Sequence, residues 1–169
     1  MKLLLKNISQ KALLLKDFKF SANQQKSGWL GNVPSSTKDI SDLEQKLNLE
    51  LPTDYKHLLE LSNGFAAPSF TEPQFLSIAE VDFLKNINSE LIEIWSETGN
   101  GEIAKELERS ICIAGKNEEQ QFLLIPPNVS NADWQYWKFA HWIPGKEVYE
   151  NLTTYFQSVL DFISKELDG

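Results

Sequence analysis

Two short helical patterns joined at a proline constrain the fold of this chain more than any other feature of its sequence. Ser36 or Thr37 can cap the first helix, and Asp39 then places a favourable negative charge in its first turn. The apolar residues that follow are spaced to fall on one helix face: Ile40, Leu43 and Leu47. The pattern therefore predicts an amphipathic helix that begins near Thr37.

A second helix follows immediately. Leu51-Pro52 ends the first helix, because proline cannot continue it, and Thr53 starts the next. Its apolar residues are Tyr55, Leu58 and Leu59. Asn63-Gly64 then supplies a left-handed stop. Together these signals predict a compact, steeply angled helix pair.

The 36 residues before this pair look like an appendage. Two apolar runs, at 3–5 and 13–15, predict strands or a packed arm. Phe18 and Phe20 alternate with lysines, as in a half-exposed strand. The stretch 21–36 is polar and contains Gly28, Gly31 and Pro34, which predicts a loop.

The remainder of the chain alternates between strand and helix patterns. Its predicted elements are a strand at 75–78, a helix over 81–95 interrupted near 86–89, a helical turn or two at 103–107, a hairpin of 111–114 and 121–125, a strand at 134–142 and a long amphipathic helix beginning near Asn151.

These elements predict an α+β fold: one antiparallel-rich sheet with helices on one side. With 169 residues, of which 41% are hydrophobic, the chain can bury one sizeable core. We expect a single domain at 37–169 with the appendage 1–36 packed on it. The predicted core comprises Leu43, Leu47, Leu51, Tyr55, Leu59, Ile111, Ile113, Leu123, Phe156, Val159 and Ile163.

The charge balance excludes one class of function. Sixteen basic residues against 24 acidic ones give a formal charge of −8, and Arg109 is the only arginine. Such a chain repels a phosphate backbone, so direct binding of nucleic acid is not expected. The acidic surface either keeps the protein in solution or attracts a basic protein partner, and charge alone does not choose between the two.

Cysteine use and hydropathy predict a cytoplasmic protein. Cys112 is the only cysteine, which excludes an intrachain disulfide and a multi-cysteine zinc site. The first leucines are interrupted by charge after three residues, too early for a secretory signal. No apolar stretch approaches the ~18 residues that a membrane span requires.

No motif in the sequence indicates catalysis, a metal or a cofactor. The glycine-rich patterns of nucleotide-binding proteins are missing, as is the paired-histidine motif of zinc proteases. A Cys112–His141 dyad is conceivable because both residues lie on predicted strands. Since isoleucines flank Cys112, a buried structural cysteine is the favoured interpretation. We therefore expect no enzyme.

The helix pair resembles the N-terminal signature of the SUKH superfamily. The matching residues run from Ile40, Leu43, Glu44 and Leu47 through Leu51-Pro52, Asp54-Tyr55 and Leu58-Leu59 to Ser62-Asn63-Gly64. A later block agrees: 123–126, Asp133-Trp134, Trp142, Pro144-Gly145 and 152–156. The resemblance covers roughly 37–167. Tyr155 stands where the family usually has a small residue.

The resemblance implies a binding protein without a catalytic set to carry over. Bacterial members of the family commonly neutralise a toxin domain, often a nuclease or a nucleic-acid deaminase; other members regulate cell-wall assembly. We therefore expect an immunity protein that occludes a basic toxin domain, with a non-enzymatic regulatory module as the alternative. The acidic candidate contacts, chosen for predicted exposure, are Glu97, Glu102, Glu118, Glu119 and Asp133.

Two tryptophans complete these expectations. Trp142 resembles a structural position of the family and is expected to be buried. Trp137 points to the opposite face of a regular strand. It is either a core residue or, as the sixth candidate contact, an exposed hot spot for the partner.

Overall fold

A computed structural model describes residues 1–97, 99–129, 133–140 and 145–168 of the chain. Its helices are α1 (Lys2–Ala12), α2 (Ala22–Ser27), α3 (Thr37–Leu47), α4 (Thr53–Leu61), α5 (Leu84–Ile87), α6 (Ser89–Glu97), α7 (Gly101–Arg109) and α8 (Leu152–Asp168). Its strands are β1 (Asp82–Phe83), β2 (Ile111–Ala114), β3 (Gln120–Ile125), β4 (Gln135–Ala140) and β5 (Glu147–Tyr149). The α+β class predicted from the sequence is confirmed.

The five strands form one antiparallel sheet in chain order, β1-β2-β3-β4-β5. The predicted hairpin is its centre, since β2 pairs with β3 and places Cys112 opposite Leu123. Leu123 in turn lies opposite Trp137 of β4, and Trp137 opposite Val148 of β5. Strand β5 carried no recognised signal in the sequence.

Helices cover both faces of this sheet, whereas the sequence predicted helices on one side only. Phe122 pairs with Lys138 and Gln121 with Phe139, so the rings of Phe122 and Phe139 lie on opposite faces. Tyr155 of α8 packs on Phe122 at a ring-centroid distance of 4.4 Å. Trp95 of α6 packs on Phe139 at 5.5 Å. Every residue of β3 is consequently buried.

The predicted helix pair is confirmed in its bounds and in its cap. Ser36 Oγ accepts a hydrogen bond from the N–H of Asp39, whose carboxylate accepts one from the N–H of Ser36 in return. Helix α4 ends at Ser62 in an extended conformation, so the left-handed residue Gly64, with φ of 90°, lies two positions beyond the helix end. The eleven predicted core residues are all buried, none more than 3% exposed.

The N-terminal segment contains helices, whereas the sequence predicted strands or a packed arm followed by a loop. The first apolar run belongs to helix α1, because Leu5, Ile8 and Ala12 form a helical stripe that is fully buried. This helix packs against α8. The polar stretch that follows contains helix α2, which Ser21 caps.

Two other predicted strands are also wrong. Phe18 and Phe20 lie outside any strand, and their ring centroids are 4.9 Å apart. Phe75 forms only isolated bridges, to Phe65 and to Ala114. The predicted helix over 81–95 is interrupted where expected, since α5 ends at Ile87 and α6 begins at Ser89.

Candidate protein-binding site

Helices α6 and α7 form an acidic hairpin on one face of the sheet. Their buried sides contribute Ile92, Ala104 and Leu107 to the core. From Ser89 to Arg109 the chain carries six glutamates against one lysine and one arginine, a net charge of −4 within a total of −8. The glutamates are Glu90, Glu93, Glu97, Glu102, Glu106 and Glu108. This hairpin therefore carries a net charge equal to half of the total.

An apolar cleft of about 460 Å³ lies between this acidic hairpin and the sheet. Leu91 and Trp95 of α6 line it together with Phe139 of β4. The indole of Trp95 meets the Phe139 ring edge-on, at an interplanar angle of 82°. Ile94, which is 49% exposed, extends the apolar surface at the rim. Aromatic faces beside carboxylates suit an apolar or cationic side chain of a partner.

One of the five acidic candidates lines this cleft, and two others lie on the helices next to it. Glu119 lines it directly, next to Gln121. Glu97 and Glu102 flank Asn100, which also lines the cleft. Glu102 is exposed and pairs with Lys105 at 3.0 Å. The structure therefore places Glu119 at the cleft and Glu97 and Glu102 on the acidic hairpin.

Glu118 is only partly available. Its Oε2 accepts a hydrogen bond of 3.3 Å from the N–H of Gln74, so the carboxylate ties the hairpin turn to the loop before Phe75. Burial raises the pKa of the Glu118 carboxyl above its usual value. Its neighbour Glu119 is exposed. The two adjacent glutamates thus have different surroundings.

Asp133 lies at the far end of the sheet from the cleft. Gln120 pairs with Ala140 at one end of the β3–β4 ladder, and Ile125 pairs with Gln135 at the other. At ~3.4 Å per residue, these ends are about 17 Å apart. Asp133 is exposed, but it does not belong to the same surface as Glu119.

Trp137 is buried, so the prediction that it is an exposed hot spot is wrong. Its side chain is 2% exposed, and its Nε1–H donates to Gln135 Oε1 at 3.1 Å. The Lys146 ammonium lies 3.1 Å from the ring centroid. Trp137 is buried because helices cover both faces of the sheet, so neither face is open to solvent at the centre of β4. The core alternative holds.

The structure does not support a catalytic dyad of Cys112 and His141. Cys112 is fully buried, and burial raises the pKa of its thiol to about 12. A thiol in that state is protonated at neutral pH and is a poor nucleophile. His141 and Trp142 lie outside the described residues. Within those residues, no three or more His, Cys, Asp or Glu side chains are grouped in a way that suits a metal ion.

The polar residues of the signature motif stabilise the fold. Glu44 Oε1 accepts the N–H of Leu51 at 2.9 Å and thereby fixes the turn between the two helices. Asn63 Oδ1 accepts the N–H of Ile78 at 2.7 Å. Asp54 Oδ1 accepts the hydroxyl of Tyr136 at 2.6 Å. These carboxylate and amide groups therefore hold elements of the fold together.

Sequence reasoning missed the role of the apolar residues in the cleft, among them Leu91, Trp95 and Phe139. One signal was present: four of the five residues at 91–95 are apolar, more than a single buried helix face requires. The approach of Phe139 to α6 had no sequence signal, because it depends on the packing of the sheet.

Comparison with known proteins identifies the family. A model of the SMI1 / KNR4 family (SUKH-1) matches residues 34–165, more than three quarters of the chain. This agrees with the resemblance found in the signature motif. No curated protein matches the chain. No helix among the described residues combines the length and the apolar character that crossing a bilayer would demand.

Proposed function

We propose a function for this chain from the premise that it belongs to the SMI1 / KNR4 family (SUKH-1), which includes toxin immunity proteins and cell-wall regulators. The chain is an immunity protein that binds one cognate toxin domain and occludes its active site. The observation that carries this proposal is the cleft between α6 and the sheet, whose acidic rim includes Glu119.

Electrostatics favours a basic partner for this surface. An enzyme that binds nucleic acid presents lysines and arginines to the phosphate backbone. The exposed glutamates of α6 and α7 form a complementary surface of opposite sign, which accelerates association with such an enzyme. A nuclease or a nucleic-acid deaminase domain is therefore the proposed class of toxin. Its phosphate-binding cleft is the region that the acidic hairpin covers.

The apolar cleft supplies the anchor that charge alone does not provide. Exposed charge pairs add little affinity, whereas an aromatic or long side chain that fills a pocket is often a hot spot. A side chain of the toxin that enters this cleft packs against the touching rings of Trp95 and Phe139 and lies close to the carboxylate of Glu119.

Co-expression tests the proposed function. The toxin-type domain encoded beside this gene is expected to kill a host when it is produced alone and to be harmless when this protein is produced with it. The control is the same toxin with a catalytic-site substitution, which must be harmless in both cases. If both proteins are soluble and the host dies equally with and without this chain, neutralisation is the wrong function. A regulatory, non-enzymatic interaction module then takes its place.

Association kinetics test the proposed surface. Glu119→Lys is expected to slow association with the toxin tenfold or more, and the association rate of the unmodified chain should fall as salt rises. Asp133→Lys is the matched control, because it makes the same change of charge at the far end of the sheet. Equal slowing by both variants would mean that net charge, and not this surface, steers the partner.

A further inference from the structure

The first 36 residues have the opposite charge from the rest of the chain. They contain six lysines and a single acidic residue, Asp17, a net charge of +5. Since the total is −8, the remaining residues carry −13. The family match begins at residue 34, so this basic segment lies almost entirely outside it. The segment is an addition to the family domain, and its positive charge has no role in the proposed toxin-binding surface.

This segment builds an apolar groove of about 510 Å³. Lys2 and Lys6, one turn apart on α1, line one side. The other side contains Trp29 and Val33, and Val33 is 82% exposed. Leu61 of α4 also lines the groove. The half-buried indole of Trp29 and the exposed side chain of Val33 provide apolar surface that a ligand would cover.

The walls of the groove are held in place by the core. Helix α1 is anchored by its buried residues Leu5 and Ile8. Ser9 Oγ accepts the N–H of Leu30 at 3.2 Å, which joins α1 to the opposite wall. At Gly31, a Cβ atom would lie 2.6 Å from the indole of Trp29, so only glycine lets the ring pack against the backbone there. The groove is therefore preformed.

The two lysines on its edge have no acidic partner. No carboxylate in the described part of the chain lies within ion-pair distance of Lys2 or Lys6. An unpaired ammonium group one helical turn from another gives the groove a positive edge along an apolar floor. A ligand complementary to both features is an extended or helical peptide that carries acidic side chains beside an apolar one.

We propose that this groove is a second protein-binding site, which takes an acidic peptide segment with an apolar anchor from a partner protein. The anchor lies on Trp29 and Val33, and carboxylates pair with Lys2 and Lys6. Because it does not depend on the acidic α6–α7 hairpin, the site allows the chain to hold an acidic segment and a basic domain at once.

The test uses the full chain and a synthetic peptide with the sequence Asp-Glu-Leu-Phe-Glu-Asp, blocked at both ends. Binding is followed by the amide signals of 27–33 in NMR titrations. We expect shifts in this segment and a dissociation constant at least tenfold higher for Lys2→Glu with Lys6→Glu. The matched control is Lys16→Glu with Lys19→Glu, which makes the same change of charge on the same segment outside the groove. Circular dichroism confirms that both variants are folded.

Several outcomes would overturn the proposal. Equal weakening by the two double variants would mean attraction to the basic segment as a whole. Shifts at the groove with oligothymidine but not with the peptide would assign it to single-stranded nucleic acid. Dimerisation of the chain that Lys2→Glu with Lys6→Glu abolishes, measured by sedimentation, would make a second copy the occupant. No binding of the peptide at millimolar concentration would remove the site. None of these results depends on whether the toxin is neutralised.

Discussion

The carboxylate of Asp54 caps helix α8, although the two partners are 98 residues apart in sequence: Asp54 Oδ2 accepts the N–H of Leu152 at 2.9 Å. Its other oxygen accepts the hydroxyl of Tyr136 on β4. One side chain of the signature motif thus joins α4, the sheet and the C-terminal helix. A helix N-terminus leaves backbone N–H groups without partners and favours negative charge, which explains an aspartate at this position.

Asp54→Ala is expected to lower the free energy of unfolding by about 2–4 kcal/mol. The substitution removes a helix cap, at about 1 kcal/mol, and leaves the Tyr136 hydroxyl without its partner, at about 1–3 kcal/mol. Asp42→Ala is the control, since Asp42 is exposed and should cost less than about 1 kcal/mol. Urea denaturation measures both. Equal stability of the two variants would contradict the assigned role of Asp54.

Alkaline pH should destabilise the fold through its tyrosines. Burial, and then the nearby charge of Glu72, raises the pKa of the Tyr155 phenol well above the ordinary value of 10.0. Burial and the hydrogen bond to Asp54 likewise raise the pKa of Tyr136. The folded state therefore favours the neutral phenols. Their contribution is complete below pH 10 and is lost as pH rises toward the raised values, because the unfolded chain releases these protons first.

Urea denaturation between about pH 8 and pH 11 measures this loss. Tyr155→Phe should flatten the dependence at the alkaline end, since phenylalanine has no proton to release. The ultraviolet absorbance of tyrosinate should rise only together with unfolding. Ionisation of all tyrosines at pH 10 in a chain that is still folded would show that their surroundings are not as described.

Lys138→Met is expected to cost about 3–5 kcal/mol of stability. Lys138 and Glu72 form a buried ion pair at 2.7 Å, and Tyr155 donates to the other carboxylate oxygen. Removing the ammonium leaves a buried carboxylate without its counter-charge. Lys105→Met breaks an exposed pair of similar length and should cost less than about 1 kcal/mol. A similar cost for both variants would mean that Glu72 is solvated.

Gly115→Ala should destabilise the central hairpin by about 2–4 kcal/mol. Gly115 has φ of 80°, and an added Cβ would lie 1.8 Å from the carbonyl oxygen of Gln120. Gly99 has a nearly identical φ of 81°, but a Cβ added there would meet no atom within 4 Å beyond its chain neighbours. Gly99→Ala therefore reports the backbone strain alone, at about 1 kcal/mol. Thermal denaturation of the two variants separates steric overlap from conformational strain.

Glu118 and Glu119 are expected to respond differently to charge reversal. Glu118→Lys loses the hydrogen bond to the N–H of Gln74 and should lower stability by about 1–2 kcal/mol. Glu119→Lys alters an exposed side chain and should change stability by less than about 0.5 kcal/mol. Denaturation midpoints of the two single variants provide the measurement. A larger loss for Glu119→Lys would reverse the assignment.

The sequence by itself determined the helix pair, the hairpin, the C-terminal helix and the core. Each is indicated by a pattern of residues that are close in the chain. Ser36 caps three residues ahead, and the stripe of Leu43 and Leu47 follows the helical period. Such signals are visible in the sequence because they do not require the positions of distant elements. They were also sufficient to identify the family, because the signature motif is itself local.

Only the tertiary structure decided which surfaces are covered. Trp137 is buried because α6 and α7 close the second face of the sheet, and nothing near it in the chain specifies that closure. The cleft joins Trp95 to Phe139, and Glu118 reaches back to Gln74. Alternation along a strand shows which side chains share a face, but the cover on each face comes from elements far away in sequence, whose packing depends on shape and burial across the whole core.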